Sequence, residues 1–350
     1  MSARGERPVT RPAGLWIGTN RGGLHPLRHG DGWSTGTPYP DAVNVSFGVH
    51  SPRHDLHYLV DERDDGAIGL YRATADGWRQ IARVAVDGDA PCHLALSNDQ
   101  SLLAVANYAS GSVSVLDLDS DGLPIAPAHV FAHSGSGPNR ERQSSPHAHW
   151  VGFDANDRWL YATDLGTDEI RAFAVAPAPA PGGNRVRAAG TAFHAPAGSG
   201  PRHLLLHPYV QRVAYLANEL TNTLTVLVGD EGRFPAARTV STLPEEYEGP
   251  SIVAHLAINA AGDRLYVSNR GHDSIAVFAL DAKGDPRLVQ HAPAGAAYPR
   301  HFVLLEDEGL MVIANEKDEC VTLLPIDADG LLGPHVARVA VPGAAFVLPL

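Results

Sequence analysis

The 350-residue sequence has little cysteine, little charge and no long apolar run, and each shortage excludes a class of protein. Its two cysteines, Cys92 and Cys320, lie far apart, so neither a disulfide framework nor a Cys-x-x-Cys motif can be drawn. No stretch approaches the roughly 18 apolar residues of a membrane-spanning helix. No apolar signal-peptide core follows the charged start. These absences predict a cytoplasmic protein.

Positive charge is scarce as well. Asp and Glu number 39 against 27 for Lys and Arg, which gives a net charge of −12. A surface this acidic does not favour nucleic acid or an anionic membrane as a partner. The basic residues are mostly arginine, which binds carboxylate or phosphate through paired hydrogen bonds, so a locally basic pocket for a small anion stays open. The sequence predicts no particular protein partner.

Several common signatures are also missing. There is no Gly-x-Ser-x-Gly, so a serine hydrolase of the α/β type has no support. Neither Gly-Ser-Gly-Pro segment, at 135–138 and 198–201, continues into Gly-Lys-Ser/Thr, so neither is a nucleotide loop. His147 and His149 would share one face of a strand, but the spacing shows no third metal ligand. We therefore expect no metal and no cofactor.

What the sequence does contain is an internal repeat. Each copy has an apolar strand that opens with histidine, a turn, a second apolar strand that ends in Asn or Asp, and a third strand. The Asn/Asp markers recur every 46 to 57 residues, which is the length of a propeller blade. The copies begin at His93, His149, His203, His255 and His301, with a more divergent copy near Asn44.

The two ends of the chain supply one more blade. GLWIGTN, residues 14–20, resembles a second strand without a first, and AAFVLPL, residues 344–350, resembles a first strand without successors. Together they predict a seventh blade that contains both termini and pairs edges that would otherwise be exposed. Third strands such as SVSVLDL alternate in character, which predicts half-buried strands.

The sequence thus predicts an all-β fold without long helices. We expect an N-terminal extension over residues 1–14 and a single seven-bladed β-propeller over residues 15–350. The Ala/Pro-rich segment 176–184 is too short for a domain linker, and we interpret it as a long connection between outer strands.

Candidate functional residues follow from this architecture. Inner strands line the central channel of a propeller, so residues that precede them converge on one mouth with the ends of the second strands. The repeated His and Asn/Asp have a structural alternative, since such side chains also bond turns and neighbouring backbone. Side chains that break the repeat are more informative. They are Arg202 and Arg300 before the inner-strand histidine, Glu219, Arg270 and Glu316 after the second-strand Asn, and the extra His147.

These segments resemble a known family. The matching regions are Pro91–Val115, Gly135–Ile170, Gly198–Val226 and Ser241–Phe278, and GPRH…ANEL and SNRGHDSIAVF are the most specific parts of them. They are similar to the lactonase family of seven-bladed propellers, which includes bacterial 6-phosphogluconolactonases and fungal carboxy-muconate lactonizing enzymes. The resemblance covers nearly all of the chain after Leu15.

The resemblance implies an active site of one His, two Arg and one Glu. Family members usually carry an acidic residue where this chain has His255, a departure that bears on activity. Carried onto the matching positions, the family's catalytic residues are His149, Arg202, Glu219 and Arg270. The channel mouth adds four candidates for substrate binding, which are Arg300, His93, His147 and His255.

Opening a lactone needs an activated water and a stabilised oxyanion. Glu219 or His149 could be the base, Arg202 or Arg270 could stabilise the oxyanion, and Arg300 could hold a phosphate or carboxylate. The predicted function is hydrolysis of a small anionic sugar lactone. The favoured substrate is 6-phosphogluconolactone, which would give 6-phosphogluconate in the pentose phosphate pathway of carbohydrate metabolism. The alternatives are a muconate-type lactonizing enzyme, another lactonase, or a non-catalytic interaction platform. An aromatic content of only 7% disfavours the platform.

Overall fold

The computed structural model describes residues 14–74, 77–177 and 184–350. The predicted N-terminal extension, apart from its last residue, lies outside the described residues. So does most of the 176–184 connection, although the strands on either side of it are described.

The described residues form 28 strands and a short 3-10 helix, Glu306–Glu308. Strands β1 to β14 are Leu15–Thr19, His25–His29, Trp33–Thr35, Gly48–Ser51, Leu56–Asp61, Ala67–Thr74, Gly77–Ala85, Pro91–Leu96, Leu102–Asn107, Ser112–Leu118, Pro124–Ala132, Ala148–Phe153, Trp159–Asp164 and Glu169–Val175. Strands β15 to β28 are Val186–His194, Pro201–Leu206, Val213–Asn218, Thr223–Asp230, Arg233–Ser241, Ile252–Ile258, Arg264–Arg270, Ser274–Leu280, Pro286–Pro293, Pro299–Leu305, Leu310–Asn315, Cys320–Pro325, Ala337–Ala340 and Ala344–Pro349.

The strands form seven four-stranded antiparallel sheets, which are the blades. Blades 1 to 6 each use four consecutive strands, from β4–β7 to β24–β27, and the first strand of each is innermost. Blade 7 has the order β28-β1-β2-β3, so the last strand is innermost and pairs with the first. The all-β fold, the blade count and the closure by both ends of the chain are as the sequence predicts.

Apolar side chains are buried between blades, one cluster for each of the seven neighbouring pairs. Alternation along a strand divides them between two clusters, because successive side chains point to opposite faces. In β9, Leu102 and Ala104 face blade 3, whereas Leu103 and Val105 face blade 1. The expectation of half-buried strands is wrong for β10, which is buried on both faces because a neighbouring blade covers each.

The strand register brings the candidate residues to one end of the ring. The start of each inner strand pairs with the end of the second strand, as in Pro201 with Asn218 and Pro299 with Asn315. Residues just before one strand and just after the other are therefore neighbours. The Asn side chains at these ends bond hydroxyls of the third strand, as Asn107 does with Ser114 at 2.8 Å, which fits their structural interpretation.

Candidate active site

Seven aromatic rings, one from each blade, contact one another inside the central channel. His93 stacks on Phe47 with ring centroids 3.9 Å apart, and His255 lies 4.2 Å from His301. Four of these rings, together with Trp150 and neighbouring leucines, line a cavity of about 290 Å³. The channel rings are Phe47, His93, His149, His203, His255, His301 and Phe346.

Burial keeps the channel histidines neutral. It lowers the pKa of His93, His149, His203 and His301 well below 6.5, and that of His255 to about 3. Two of the rings also bind the next blade. The backbone N–H of Val151 donates to Nδ1 of His93 at 3.4 Å. Val347 N–H donates to His301 in the same way at 3.3 Å.

Above the rings, three arginines surround the carboxylate of Glu219, whose side chain is only 2% exposed. Oε1 of Glu219 lies 2.6 Å from Nη2 of Arg142. Oε2 lies 2.9 Å from both Nε of Arg202 and Nη2 of Arg270. Burial alone would raise the pKa of Glu219, but Arg270 and Arg202 outweigh it and hold the pKa below its ordinary value.

The two most deeply buried arginines keep unused donors. Nε of Arg202 is close to Glu219, yet its N–H does not point at the carboxylate, and it has no hydrogen-bond partner within the described residues. The buried Nε of Arg270 likewise lacks one in the described ranges. Burial and Arg270 lower the pKa of Arg202 to about 9, which leaves it a cation at neutral pH. Each of these two arginines thus has a buried N–H donor without an acceptor in the described part of the protein, which is the kind of group that stabilises an oxygen gaining negative charge.

Histidines of the channel fix the position of Arg202. Its Nη1 donates to the carbonyl oxygen of Ala254 and lies 3.0 Å from Nε2 of His203. Since a guanidinium can only donate, Nε2 of His203 accepts and the proton sits on Nδ1. That Nδ1 lies 3.3 Å from Nδ1 of His255 and donates to it. His255, a predicted substrate ligand, therefore supports Arg202 through His203.

His149 is one of the two residues that the sequence predicts as a catalytic base. Its neutral ring packs against Tyr108 and His203, with centroids 5.5 Å away in each case. Its buried Nδ1 has no hydrogen-bond partner in the part of the chain that the structure describes. A neutral imidazole without such a partner can accept a proton from water.

Arg300 lies at the same mouth but in a different charge environment. Its Nη1 donates to Glu316 at 3.0 Å, and its Nη2 lies 3.6 Å from Glu62. Burial alone would lower the pKa of Arg300, but the charges of Glu62 and Glu316 outweigh it and raise the pKa. Two carboxylates thus already neutralise the arginine that the sequence assigns to a phosphate or carboxylate.

His147, another predicted substrate ligand, packs against its own surroundings. It stacks on Tyr108 with ring centroids 4.4 Å apart, and its Nδ1 lies 3.0 Å from the Tyr108 carbonyl oxygen. The structure therefore brings together the four predicted catalytic residues, whereas Arg300, His93, His147 and His255 have protein partners of their own. Their substrate-binding roles stay predictions.

Arg142 is the site residue that sequence reasoning missed. It lies on the connection between β11 and β12, outside the repeated pattern. Its neighbour Gln143 is fully buried, and Nε2 of Gln143 donates to the carbonyl oxygen of Leu165 and to Oδ1 of Asp168, both at 2.8 Å. Asp168 also accepts the backbone N–H of Gly200 at 2.8 Å, two residues before Arg202. One buried carboxylate therefore anchors the segments that carry Arg142 and Arg202.

No metal-binding group of three or more His, Cys, Asp or Glu occurs within the described residues. Among residues 14–74, 77–177 and 184–350, no helix is long and apolar enough to cross a membrane.

Known proteins are similar to this chain in sequence or in fold. The family described as Lactonase, 7-bladed beta-propeller matches residues 34–349. The 6-phosphogluconolactonase of Bacillus subtilis strain 168 is 33% identical over 306 residues, which is 85% of each chain. The structure of the periplasmic gluconolactonase of Pseudomonas aeruginosa has a TM-score of 0.86 and 28% identity, and the match covers 96% of this chain and 98% of that one. A protein from Lactobacillus plantarum has the same TM-score and identity over 97% and 99% of the two chains.

The fold and the comparisons define the class of protein. The chain belongs to the family of seven-bladed β-propeller lactonases. It is accordingly a lactone hydrolase, with the buried arginine–glutamate cluster as its candidate active site.

Proposed function

We propose that this lactonase hydrolyses 6-phosphogluconolactone to 6-phosphogluconate. The observation that carries the proposal is the charge of the site. Three guanidinium groups share the single carboxylate of Glu219, so this cluster has two positive charges in excess. Such an excess favours a substrate with an anionic group. The similarity to the 6-phosphogluconolactonase of Bacillus subtilis supports the same substrate. The pentose phosphate pathway and the cytoplasm belong to this proposal.

The reaction proceeds by attack of water on the lactone carbonyl carbon. The carbonyl oxygen gains negative charge, the ring C–O bond then breaks, and the products are a hydroxyl and a carboxylic acid, which releases its proton to solvent. Nε–H of Arg202 and Nε–H of Arg270 are the donors for the developing charge. Because both are buried and held before the reaction, little reorganisation is needed when the charge forms.

His149 is the base in this mechanism, and Glu219 is the anchor of the arginines. Both Glu219 oxygens already face guanidinium groups, and its lowered pKa makes it a weak base. The pKa of His149 is lowered as well, but unlike the Glu219 oxygens its Nδ1 has no partner among the described residues, so His149 takes the proton of the attacking water. It then returns the proton to the ring oxygen as that oxygen leaves.

The test is hydrolysis of freshly made 6-phosphogluconolactone by the purified protein, measured against the spontaneous rate. We expect Arg202→Ala to lower kcat about 100-fold, the usual effect of losing one oxyanion donor. Arg238→Ala is the matched control. Arg238 lies on the outermost strand of blade 4, β19, and forms an exposed ion pair with Asp285 at 2.6 Å, away from the channel mouth. Wild-type protein that does not exceed the spontaneous rate, or full activity in Arg202→Ala, would refute the proposal.

A second experiment separates base from anchor. In His149→Ala, added imidazole should restore part of the rate, since it can replace the missing base. Glu219→Gln should lose activity without such rescue, because its arginines lose their counter-charge. Full activity in Glu219→Gln would contradict the anchoring role.

One observation favours a second candidate, an unphosphorylated gluconolactone. Glu62 and Glu316 flank Arg300 and would repel a phosphate there, while their oxygens suit sugar hydroxyls. The structurally similar Pseudomonas aeruginosa protein is described as a gluconolactonase. Comparing kcat/KM for glucono-δ-lactone and its 6-phosphate decides between the two.

A further inference from the structure

Three blades share a tight turn immediately before the inner strand. In each, a residue with positive φ precedes a proline. Gly200 has φ of 65° and Ala90 has φ of 49°, but the third is Tyr298 with φ of 71°. Glycine adopts this left-handed region freely, whereas a bulky side chain rarely does. Blade 6 therefore holds a tyrosine where its backbone conformation favours glycine.

The turn itself does not need the tyrosine. In all three blades the carbonyl oxygen of the residue with positive φ accepts the backbone N–H of the residue that follows the second-strand Asn. The distances are 2.9 Å for Tyr108 to Ala90, 2.7 Å for Glu219 to Gly200 and 3.0 Å for Glu316 to Tyr298. Glycine and alanine make this bond as well as tyrosine does, so the bond does not account for the tyrosine.

The ring of Tyr298 contacts two cations at the channel mouth. The guanidinium carbon of Arg270 lies 5.2 Å from the ring centroid, and Nζ of Lys317 lies 4.0 Å from it. Arg270 also binds Glu219 at 2.9 Å and donates to the carbonyl oxygen of Val253 at 3.0 Å. The ring is thus a third contact that restrains the guanidinium while leaving its Nε without a hydrogen-bond partner among the described residues.

We propose that Tyr298 is a positioning residue of the active site. Its ring holds the Arg270 guanidinium in the orientation that directs Nε–H at the lactone oxygen. Backbone conformations of this kind cluster at functional sites, where the surrounding structure enforces them. The catalytic part of this inference rests on the proposed function, whereas the placement of Arg270 does not.

The experiment compares three variants in the full chain. Tyr298→Gly removes the ring and gives the turn the residue that Gly200 provides in blade 4. Tyr298→Phe keeps the ring face. Ala90→Gly is the matched control, because it changes the same turn position in blade 2 without removing a ring. Each is measured for kcat, KM and melting temperature.

We expect Tyr298→Gly to lower kcat about tenfold, the size of a cation–π contact, with a smaller change in KM. Its melting temperature should stay within about 2 °C of wild type, because relief of the left-handed strain offsets the loss of a partly exposed ring. Tyr298→Phe should recover most of the rate, and Ala90→Gly should keep all of it. Equal activity of the glycine and wild-type proteins, or a loss that phenylalanine does not restore, would overturn the proposal.

A crystal structure of Tyr298→Gly separates this inference from the proposed function. If wild-type protein hydrolyses no lactone, the proposed function fails, yet the position of Arg270 can still be observed. We expect its guanidinium to move away from Glu219 once the ring is absent. An Arg270 that keeps its position in the variant would overturn the positioning role whatever the substrate.

Discussion

The five channel histidines make the fold sensitive to mild acid. In the unfolded chain each ring titrates near 6.5, whereas burial lowers the pKa of all five in the folded protein. Between these values the unfolded chain binds protons that the folded protein excludes. Stability therefore falls as the pH falls below 6.5.

The magnitude follows from the unfolded-state titration. Lowering the pH from 7.5 to 5.5 reduces the free energy of unfolding by about 1.4 kcal/mol for each ring that stays neutral in the folded protein. For the five rings together the reduction is about 7 kcal/mol. This approaches the whole stability of a typical domain, about 5 to 15 kcal/mol. Glu219 and Asp164, with ordinary pKa values of 4.5 and 3.8, stay ionised over this range and contribute little.

His301→Phe isolates one ring, because Phe47 and Phe346 already occupy the equivalent channel positions of two blades. Between pH 7.5 and 5.5, we expect the free energy of unfolding of the variant to fall by about 1.4 kcal/mol less than that of wild type. The assay is urea unfolding followed by tryptophan fluorescence at several pH values. Any packing cost of phenylalanine is the same at every pH, so it does not affect the pH dependence. Other buried histidines such as His57 contribute equally in both proteins and cancel in the comparison. Wild-type stability that does not change over this range, or the same pH dependence in both proteins, would refute the reasoning.

Two further predictions concern stability and reactivity away from the site. The hydroxyl of Tyr215 in blade 4 donates to the carbonyl oxygen of Gly284 in blade 5 at 2.6 Å, so Tyr215→Phe should lower the unfolding free energy by about 1 kcal/mol in urea without changing lactonase kcat. An altered kcat would contradict this purely structural role. Burial raises the pKa of the Cys92 and Cys320 thiols, so neither should react with a thiol reagent at pH 7.5 until the protein is unfolded. Rapid labelling of the native protein would show that one of them is accessible.

The fold was predictable because the repeat encodes it. The spacing of the Asn/Asp markers gives the blade length, and the strand-like segments at both ends complete the last sheet. The extent of burial was not predictable from one strand, because β10 alternates like the strand of a half-exposed sheet. Its second covered face depends on how neighbouring blades stack, which is a property of the closed ring and not of the segment.

The candidate site was predictable where its residues occupy positions that the repeat defines, even though their residue types differ from the repeat. Arg202, Glu219 and Arg270 stand at repeat positions that the strand register brings together. Arg142 does not occupy a repeat position. It reaches Glu219 from the long connection between β11 and β12, which the buried Gln143 fixes in place. Such an approach depends on contacts between blades that no local pattern records.

The same limit explains the charge balance around Arg300. Its two carboxylate partners come from different blades, Glu316 from its own and Glu62 from blade 1, whose repeat is the most divergent. Sequence spacing showed that Arg300 would reach the mouth, but not that opposite charges would meet it there. The pairing emerges only when blade 1 and blade 6 are placed around a common axis.

The pairing of β28 with β1 sets an order of events during synthesis. A ribosome makes β1 before the other strands and β28 after them, so β1 has no inner partner until the other strands have been translated. Contacts this distant in sequence form slowly. Phe346 arrives with β28, so the set of channel rings that supports the arginines is completed only as the ring of blades closes. A nascent chain that stalls before β28 would therefore have neither a closed ring of blades nor the complete set of channel rings next to its active site.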